Sequence, residues 1–239
     1  MKNIVVFGDS ILKGIQLDPI SRRYTIDNNI GVEDLEHLYS LHIENSSRFG
    51  CTITKAKQLL ERTLRHGKPG DIVLLEYGGN DCDYDWAAVS ADPDGDYECK
   101  TPLAVFKQTY KSVVEMLKSS GVTVFLTNLP PIIAERYLSW ICHAGLSREN
   151  ILKWLGSVET IYRKQELFSR ATEEIARECD VPIIDLRSEF LKNRRIDGFF
   201  CEDGIHPNSD GQRLIGDAFR RYIDSYRVEN TKLIPQPQV

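Results

Sequence analysis

The feature that most constrains this chain's fold is the alternation of short apolar runs with longer amphipathic segments. Residues 3–7 form a continuous apolar run that ends in Gly8, and residues 71–77 form a second run that ends at Gly78 and Gly79. Such runs are typical of buried parallel strands. Further strands are predicted at 39–43, 122–127 and 181–186, and helices at 54–66, 103–118, 159–179 and 209–226. Strands separated by helices predict an α/β fold, with a parallel sheet covered by helices on both faces.

The length fits a single domain. The 239 residues contain no internal repeat, low-complexity segment or linker, so we predict one domain over 1–228 and a C-terminal tail over 229–239, frayed at 235–239. The six cysteines show no CxxC spacing and are expected to be free thiols in a reducing compartment.

Charge and hydropathy disfavour several function classes. The formal net charge is −5 and the arginine pairs are isolated, which argues against nucleic-acid binding. The apolar stretch 4–7 is too short for a signal sequence, and no run approaches the ~18 apolar residues of a membrane span. We therefore expect a cytoplasmic protein that does not insert into membranes.

An acidic loop at 92–98 superficially suggests calcium binding. Counted from Asp92, the sixth and twelfth positions of an EF-hand loop are Tyr97 and Leu103, where that loop needs Gly and Glu. We interpret the loop as solvated and predict no metal site.

Polar residues follow the predicted strands at the point where each one ends. Ser10 comes two residues after Gly8, residues 46–50 follow the second strand, Asn80 follows Gly79, and the last strand leads to a loop with Asp203 and His206. In an open α/β sheet, ligands bind beyond the carboxyl ends of the strands. These side chains are therefore expected to converge.

The converging groups are those that acyl transfer requires. A serine hydroxyl is a weak nucleophile until a base takes its proton, and a carboxylate must orient a histidine base. His206 has Asp203 three residues before it, whereas the other four histidines lack such a setting. Two plainer interpretations stay open: Ser10 as the N-cap of a helix that begins at Ile11, and Asn80 as a turn residue. Asp9 is interpreted as structural.

Four sequence blocks together resemble those of the SGNH (GDSL-type) hydrolases. The blocks are Gly8–Asp9–Ser10, Gly50, Gly79–Asn80–Asp81 and Asp203–Gly204–Ile205–His206–Pro207. They occur in the family's order and span most of the chain, with Ile11 where the family has Leu. Any one block is weak evidence, but four in order are highly specific.

The resemblance implies a role for each matched residue. Ser10 would be the nucleophile, His206 the base and Asp203 the residue that orients it. The oxyanion hole would consist of the backbone N–H groups of Ser10 and Gly50 and the side-chain amide of Asn80. The implied fold is a three-layer α/β/α sandwich around a flavodoxin-like, five-stranded parallel sheet, and the family uses no metal or organic cofactor.

Two segments are expected to lie over the catalytic edge, namely 82–100 and 132–156. They contain all three tryptophans, and Trp86, Trp140 and Tyr137 are our candidate substrate-binding residues. The alternative is that these aromatic side chains merely pack the segments onto the body of the protein.

The predicted function is hydrolysis of a small-molecule carboxylic ester through an acyl-serine intermediate, with a small, acetyl-type acyl group. A lysophospholipase or thioesterase of the same family and a non-catalytic flavodoxin-like binding module remain alternatives. The acyl and alcohol parts of the substrate, the oligomeric state and the pathway are left open.

Overall fold

The computed structural model describes residues 2–27 and 32–231. Its centre is a five-stranded parallel sheet. In spatial order the strands are β4 (Leu41–Asn45), β1 (Lys2–Gly8), β5 (Ile72–Glu76), β6 (Thr123–Thr127) and β7 (Ile183–Ile184). This is the flavodoxin-like strand order. β4 lies on one side of β1, and β5, β6 and β7 follow in turn on the other side, so the order in which strands are added reverses between β1 and β5.

Helices cover both faces of the sheet, which confirms the predicted three-layer α/β/α architecture. One face packs against α2 (Ile53–Arg65), α4 (Leu103–Ser119) and α7 (Glu159–Glu178), and the other against α8 (Leu186–Leu191) and α9 (Ser209–Thr231). Successive side chains of a strand point to opposite faces. Accordingly, Val5 and Phe7 belong to the larger core on the α4 side, and Val6 belongs to the smaller core on the α9 side.

The connection from β1 to β4 contains a hairpin that the apolar pattern did not predict. The hairpin strands β2 (Ile15–Leu17) and β3 (Tyr24–Ile26) pair antiparallel, and a short helix α1 (Val32–Tyr39) precedes β4. All three residues of β3 are exposed, so this strand lacks the half-buried alternation by which strands are recognised.

Two predicted strands shift for identifiable local reasons. The strand predicted at 39–43 begins only at Leu41, because α1 ends at Tyr39 and Ser40 turns the chain with a φ of +52°. The strand predicted at 181–186 is reduced to Ile183–Ile184. Asp185 ends it by capping α8, where its carboxylate accepts a hydrogen bond from Ser188 N.

Three short helices were also missed: α3 (Trp86–Ala91), α5 (Ala134–Cys142) and α6 (Arg148–Leu155). They lie in the two segments expected over the catalytic edge. Their buried side chains form a small third cluster that includes Trp86, Leu138 and Ile151. These segments therefore carry a core of their own.

The α9 face of the sheet is less completely filled than the α4 face. A cavity of about 510 Å³ with largely apolar walls lies between this face and α9, bordered by Val6, Leu74 and Phe219. Helix α9 extends to Thr231, five residues beyond the predicted end and three into the predicted tail. Residues 232–239, including the end predicted to fray, lie outside the described residues. Within the described ranges, no helix is both long and apolar enough to cross a membrane.

Candidate active site

Ser10, His206 and Asp203 form a continuous hydrogen-bonded chain at the carboxyl edge of the sheet. His206 Nε2 lies 2.9 Å from Ser10 Oγ, and His206 Nδ1 lies 2.7 Å from Asp203 Oδ2. All three residues are buried, with Asp203 fully inaccessible to solvent. The sequence separation between Ser10 and His206 is 196 residues, so the sheet topology brings them together.

The loop that carries Asp203 and His206 is fixed by its own backbone. Asp203 Oδ1 accepts hydrogen bonds from the backbone N–H groups of Ile205 and His206, each at 3.1 Å. Gly204 has a φ of +74°, and a Cβ there would lie 2.5 Å from the carbonyl oxygen of Ile133. Only glycine suits this position, because it needs both a left-handed backbone and a close approach.

The interpretation of Ser10 as a helix N-cap is wrong. The residues after Ser10 form tight turns: Lys13 N donates to Asp9 O, and Ile15 N donates to Ser10 O as the chain enters β2. Ser10 Oγ points to His206 and does not cap a helix.

The three predicted oxyanion donors lie in the loops that follow β1, β4 and β5. Gly50 adopts a φ of +67° in the turn after β4. Among the described residues, the N–H groups of Ser10 and Gly50 donate no hydrogen bond within the chain. Asn80 Nδ2 donates one hydrogen bond to Asp9 Oδ2 at 2.9 Å, and its second hydrogen is not used in that bond.

Asp9 is structural, as expected, and its contacts explain how Asn80 is held. Besides binding Asn80, Asp9 accepts a hydrogen bond from Ile11 N at 2.8 Å, and its own N–H donates to Glu76 Oε2 at 3.2 Å. Glu76, an acid near the end of the apolar segment 72–77, was the available sequence signal for this contact.

A cluster of three buried acids, Asp9, Glu76 and Asp81, lies behind Ser10. Burial, together with the charge of neighbouring Asp9, raises the pKa of Glu76 well above its usual range. Burial raises the pKa of Asp81 to about 7, although Asp81 also accepts hydrogen bonds from Ile53 N at 3.1 and 3.2 Å. Burial raises the pKa of Asp9 as well. Burial therefore favours the protonated form of all three acids, and the charge of Asp9 favours it further in Glu76.

The pKa of Asp203 shifts in the opposite direction. Burial alone would raise its pKa, but the His206 imidazole and the two backbone N–H donors outweigh burial and lower the pKa below its usual value. A carboxylate that stays ionised beside Nδ1 favours the tautomer in which Nε2 is free to accept the serine proton.

A small cavity of about 90 Å³ opens beside Ser10 and His206. Trp86 and Tyr137 line it, and both are tied to Asp83: Asp83 Oδ1 accepts hydrogen bonds from Tyr137 OH at 2.6 Å and Trp86 Nε1 at 2.7 Å. Trp86 and Tyr137 also pack in the third core cluster, as the alternative interpretation expected, and their role in substrate binding stays a prediction. Trp140 does not line this cavity.

Trp140 instead contacts Tyr24, whose ring also contacts that of Phe49. The sequence analysis missed both Tyr24 and Phe49. The ring of Tyr24 lies 6.1 Å from that of Trp140 and 5.0 Å from that of His206, and the ring of Phe49 lies 6.0 Å from His206. Burial and the neighbouring Asp203 carboxylate raise the pKa of Tyr24. Phe49 directly precedes the predicted oxyanion residue Gly50, which was the only local signal for it.

All six cysteines are free thiols. Over residues 2–27 and 32–231, no group of three or more His, Cys, Asp or Glu side chains is arranged to hold a metal ion.

The chemistry available at this edge is that of a serine hydrolase: a hydroxyl bonded to an imidazole, an ionised carboxylate behind it, and N–H donors close by. Residues 6–214 match the GDSL-like Lipase/Acylhydrolase family, and the chain belongs to that family. It is a carboxylic ester hydrolase. No curated protein matches the chain.

Solved structures share the fold. A lipase/acylhydrolase from Enterococcus faecalis is 20% identical, with 95% of this chain and 97% of that chain covered and a TM-score of 0.66. Axe2, an acetylxylan esterase from Geobacillus stearothermophilus, is 20% identical, with 92% and 93% covered and a TM-score of 0.65. A putative acylhydrolase from Bacteroides fragilis is 17% identical, with 94% and 88% covered and a TM-score of 0.62. At these identities the likeness establishes the fold alone.

Proposed function

We propose that Ser10 is the nucleophile, His206 the general base and Asp203 the residue that orients it, in an esterase that removes small, acetyl-type acyl groups. The observation that carries these roles is the hydrogen-bond chain from Asp203 through both ring nitrogens of His206 to Ser10 Oγ. The backbone N–H groups of Ser10 and Gly50 and the side-chain amide of Asn80 stabilise the oxyanion.

Acylation proceeds in two steps. Ser10 Oγ attacks the ester carbonyl carbon while His206 Nε2 takes the hydroxyl proton, and the carbonyl oxygen becomes an oxyanion that meets the three N–H donors. The tetrahedral intermediate then collapses. The bond to the alcohol oxygen breaks, His206 gives its proton to that oxygen, and the acyl group stays on Ser10.

Deacylation repeats these steps with water. His206 takes a proton from a water molecule, the resulting hydroxide attacks the acyl carbon, and the second tetrahedral intermediate releases the carboxylic acid as His206 returns the proton to Ser10 Oγ.

The size of the cavity beside Ser10 supports a short acyl group. Its volume of about 90 Å³ is far below the roughly 300–1,000 Å³ of pockets that bury drug-sized ligands. Tyr84, Trp86 and Tyr137 line this cavity, and Trp86 and Tyr137 are fixed by Asp83. An extended acyl chain would have to displace these packed side chains, whereas an acetyl group would not.

The test is a series of esters of one alcohol with acyl chains from two to twelve carbons, together with acetyl thioesters and a lysophospholipid. We expect kcat/KM to be highest for acetyl and to fall as the chain lengthens. Ser10→Ala should abolish hydrolysis and labelling by a fluorophosphonate probe while the thermal melt stays close to that of the unmodified protein. Preference for long acyl chains would contradict the acyl assignment, and undiminished labelling of Ser10→Ala at another serine would contradict the assignment of the nucleophile.

A further inference from the structure

Three aromatic side chains form a half-exposed cleft on the outer side of His206. We define the aromatic cleft as Tyr24, Phe49 and Trp140. The ring centroids of Tyr24 and Phe49 are 5.3 Å apart and those of Tyr24 and Trp140 are 6.1 Å apart, with the rings tilted by 50° and 69°. These residues come from β3, the turn after β4, and α5, so three separate segments of the chain build one surface.

The cleft is open to solvent. Tyr24 is 38% exposed and Phe49 is 53% exposed, which is uncommon for rings packed against a buried imidazole. The Arg22 guanidinium lies 5.5 Å from the centroid of the Trp140 ring, and Arg22 also pairs with Glu202 at 3.7 Å. The border of the cleft at Trp140 is therefore polar, and the Arg22 charge there is paired with that of Glu202.

The proposed mechanism decides which part of an ester meets this cleft. His206 Nε2 must give its proton to the leaving alcohol oxygen, so the alcohol lies on the side of His206. Tyr24 and Phe49 both lie against the His206 ring, at 5.0 and 6.0 Å between centroids. No residue of the aromatic cleft lines the 90 Å³ cavity, which leaves that cavity to the acyl group.

We propose that the aromatic cleft is a binding subsite for the alcohol part of the substrate and that this alcohol is a neutral carbohydrate ring. The inference rests on the proposed function and adds to it the class of the alcohol. A sugar ring presents C–H groups on its faces and hydroxyl groups around its edge. These match the faces of the three rings and the polar atoms of Arg22 and Glu202 at the border. A long alkyl alcohol would meet the same charged border without hydrogen-bonding groups of its own.

The experiment compares two acetate esters that differ only in the alcohol: a methyl pyranoside with one acetyl group, and ethyl acetate. The variants are Phe49→Ala and Trp140→Ala, with Leu167→Ala as the matched control, because Leu167 is 47% exposed on α7, away from the cleft. We expect each cleft variant to lower kcat/KM for the sugar acetate about five- to tenfold more than for ethyl acetate. The loss should fall mainly on KM, because stacking acts on bound substrate and transition state alike.

Tyr24→Phe keeps the ring and removes the hydroxyl that faces Asp203, so it should retain most of the preference for the sugar acetate. The Leu167→Ala control should retain all of it.

Two results would overturn the inference: equal kcat/KM of the unmodified protein for the two acetates, or equal losses on both acetates in the Phe49 and Trp140 variants. Equal losses would mean that the rings act on His206 and not on the alcohol. Failure of the proposed function looks different, since neither acetate would then be hydrolysed and Ser10 would not react with a fluorophosphonate probe.

Discussion

Two groups of buried acidic side chains lie on either side of Ser10, and their pKa values shift in opposite directions. Asp203 on one side and Glu76 and Asp81 on the other are all fully inaccessible to solvent. Nevertheless the pKa of Asp203 is lowered, whereas burial raises the pKa of Asp81 to about 7 and that of Glu76 well above its usual range.

The difference shows that burial alone does not decide the charge of an acid in this protein. Asp203 faces an imidazole and two backbone N–H donors, each of which favours the ionised form. Glu76 faces Asp9, a second acid, so the charged forms of the two disfavour each other. Hydrogen-bond donors reach both regions, so the difference lies in the neighbouring groups: an imidazole beside Asp203 and a second acid beside Glu76.

The largest expected effect comes from Asp203→Asn. An amide at this position is neutral and disturbs the tautomer of His206, so we expect kcat to fall by about 10⁴. The matched control is Asp81→Asn, the same chemical change at the other buried region, which should lower kcat less than about tenfold. Steady-state kinetics on one acetate ester measures both. Equal losses in the two variants would remove the proposed distinction between the two regions.

The next effect concerns Asn80, which is bonded to Asp9 of the acidic cluster and is one of the proposed oxyanion donors. Loss of one oxyanion donor in Asn80→Ala should cost about 10²–10³ in kcat, equivalent to about 2.7–4 kcal/mol, with KM changed less than about threefold. Asn80→Asp should be at least as damaging, because it adds negative charge beside Asp9 where the oxyanion forms. Kinetics and thermal melts of both variants are the measurement. If Asn80 is only a turn residue, stability will fall and kcat will stay near normal.

A third effect is seen in stability and not in rate. The pKa of Asp81 is about 7 in the folded protein and near its usual 3.8 when unfolded, so its contribution to stability is fully present below pH 4 and is lost as the pH rises to 7. The loss corresponds to a few kcal/mol, on the order of 3. Denaturant titrations between pH 4 and 8 should show a smaller decline for Asp81→Asn than for the unmodified protein. Identical pH profiles would indicate that Asp81 is not the acid whose burial costs stability.

The smallest effect is expected for Glu76→Gln. Burial and the charge of Asp9 favour the protonated, neutral form of Glu76, which a glutamine of similar shape imitates, so kcat should change less than about threefold at pH 7. Glu76→Ala provides the contrast, since it leaves a cavity and removes the acceptor for Asp9 N, at a cost of roughly 2–4 kcal/mol in stability. A large loss of activity in Glu76→Gln with stability retained would mean that Glu76 is ionised.

The sequence predicted those parts of the fold whose signal is local. Runs such as 3–7 and 71–77 are recognisable because most of their apolar side chains are buried in the two cores, and β1 and β5 were found within two residues of their ends. The hairpin strand β3 was missed because all three of its residues are exposed, and the helices α3, α5 and α6 were missed because they are short. The strand predicted at 181–186 was too long because Asp185 caps α8. The residue type alone does not show whether an aspartate caps a helix or lies in a turn.

The sequence likewise predicted one part of the candidate site and missed another. Ser10 and Asn80 follow β1 and β5, and the parallel topology brings both to one edge of the sheet. Asp203 and His206 lie in the loop before α9, which reaches the same edge only after α8 and a 3-10 turn at 196–199. The positions of Tyr24 and Trp140 relative to His206 depend on the docking of the hairpin and of α5 onto that edge, and no spacing in the sequence encodes it. Trp140 was therefore grouped with Trp86 and Tyr137, although it faces a different surface.

The separation of 196 residues between Ser10 and His206 has a consequence for how this protein matures. At synthesis rates of about 5–20 residues per second, the proposed nucleophile waits roughly 10–40 s for its base to be made. During that time β1, β4, β5 and β6 can already pair, because every strand of the sheet precedes the loop that contains His206. Under the proposed roles a nascent chain can thus be largely folded and still inert. The onset of ester hydrolysis would then report when the loop that contains His206 docks beside Ser10, the last step of folding.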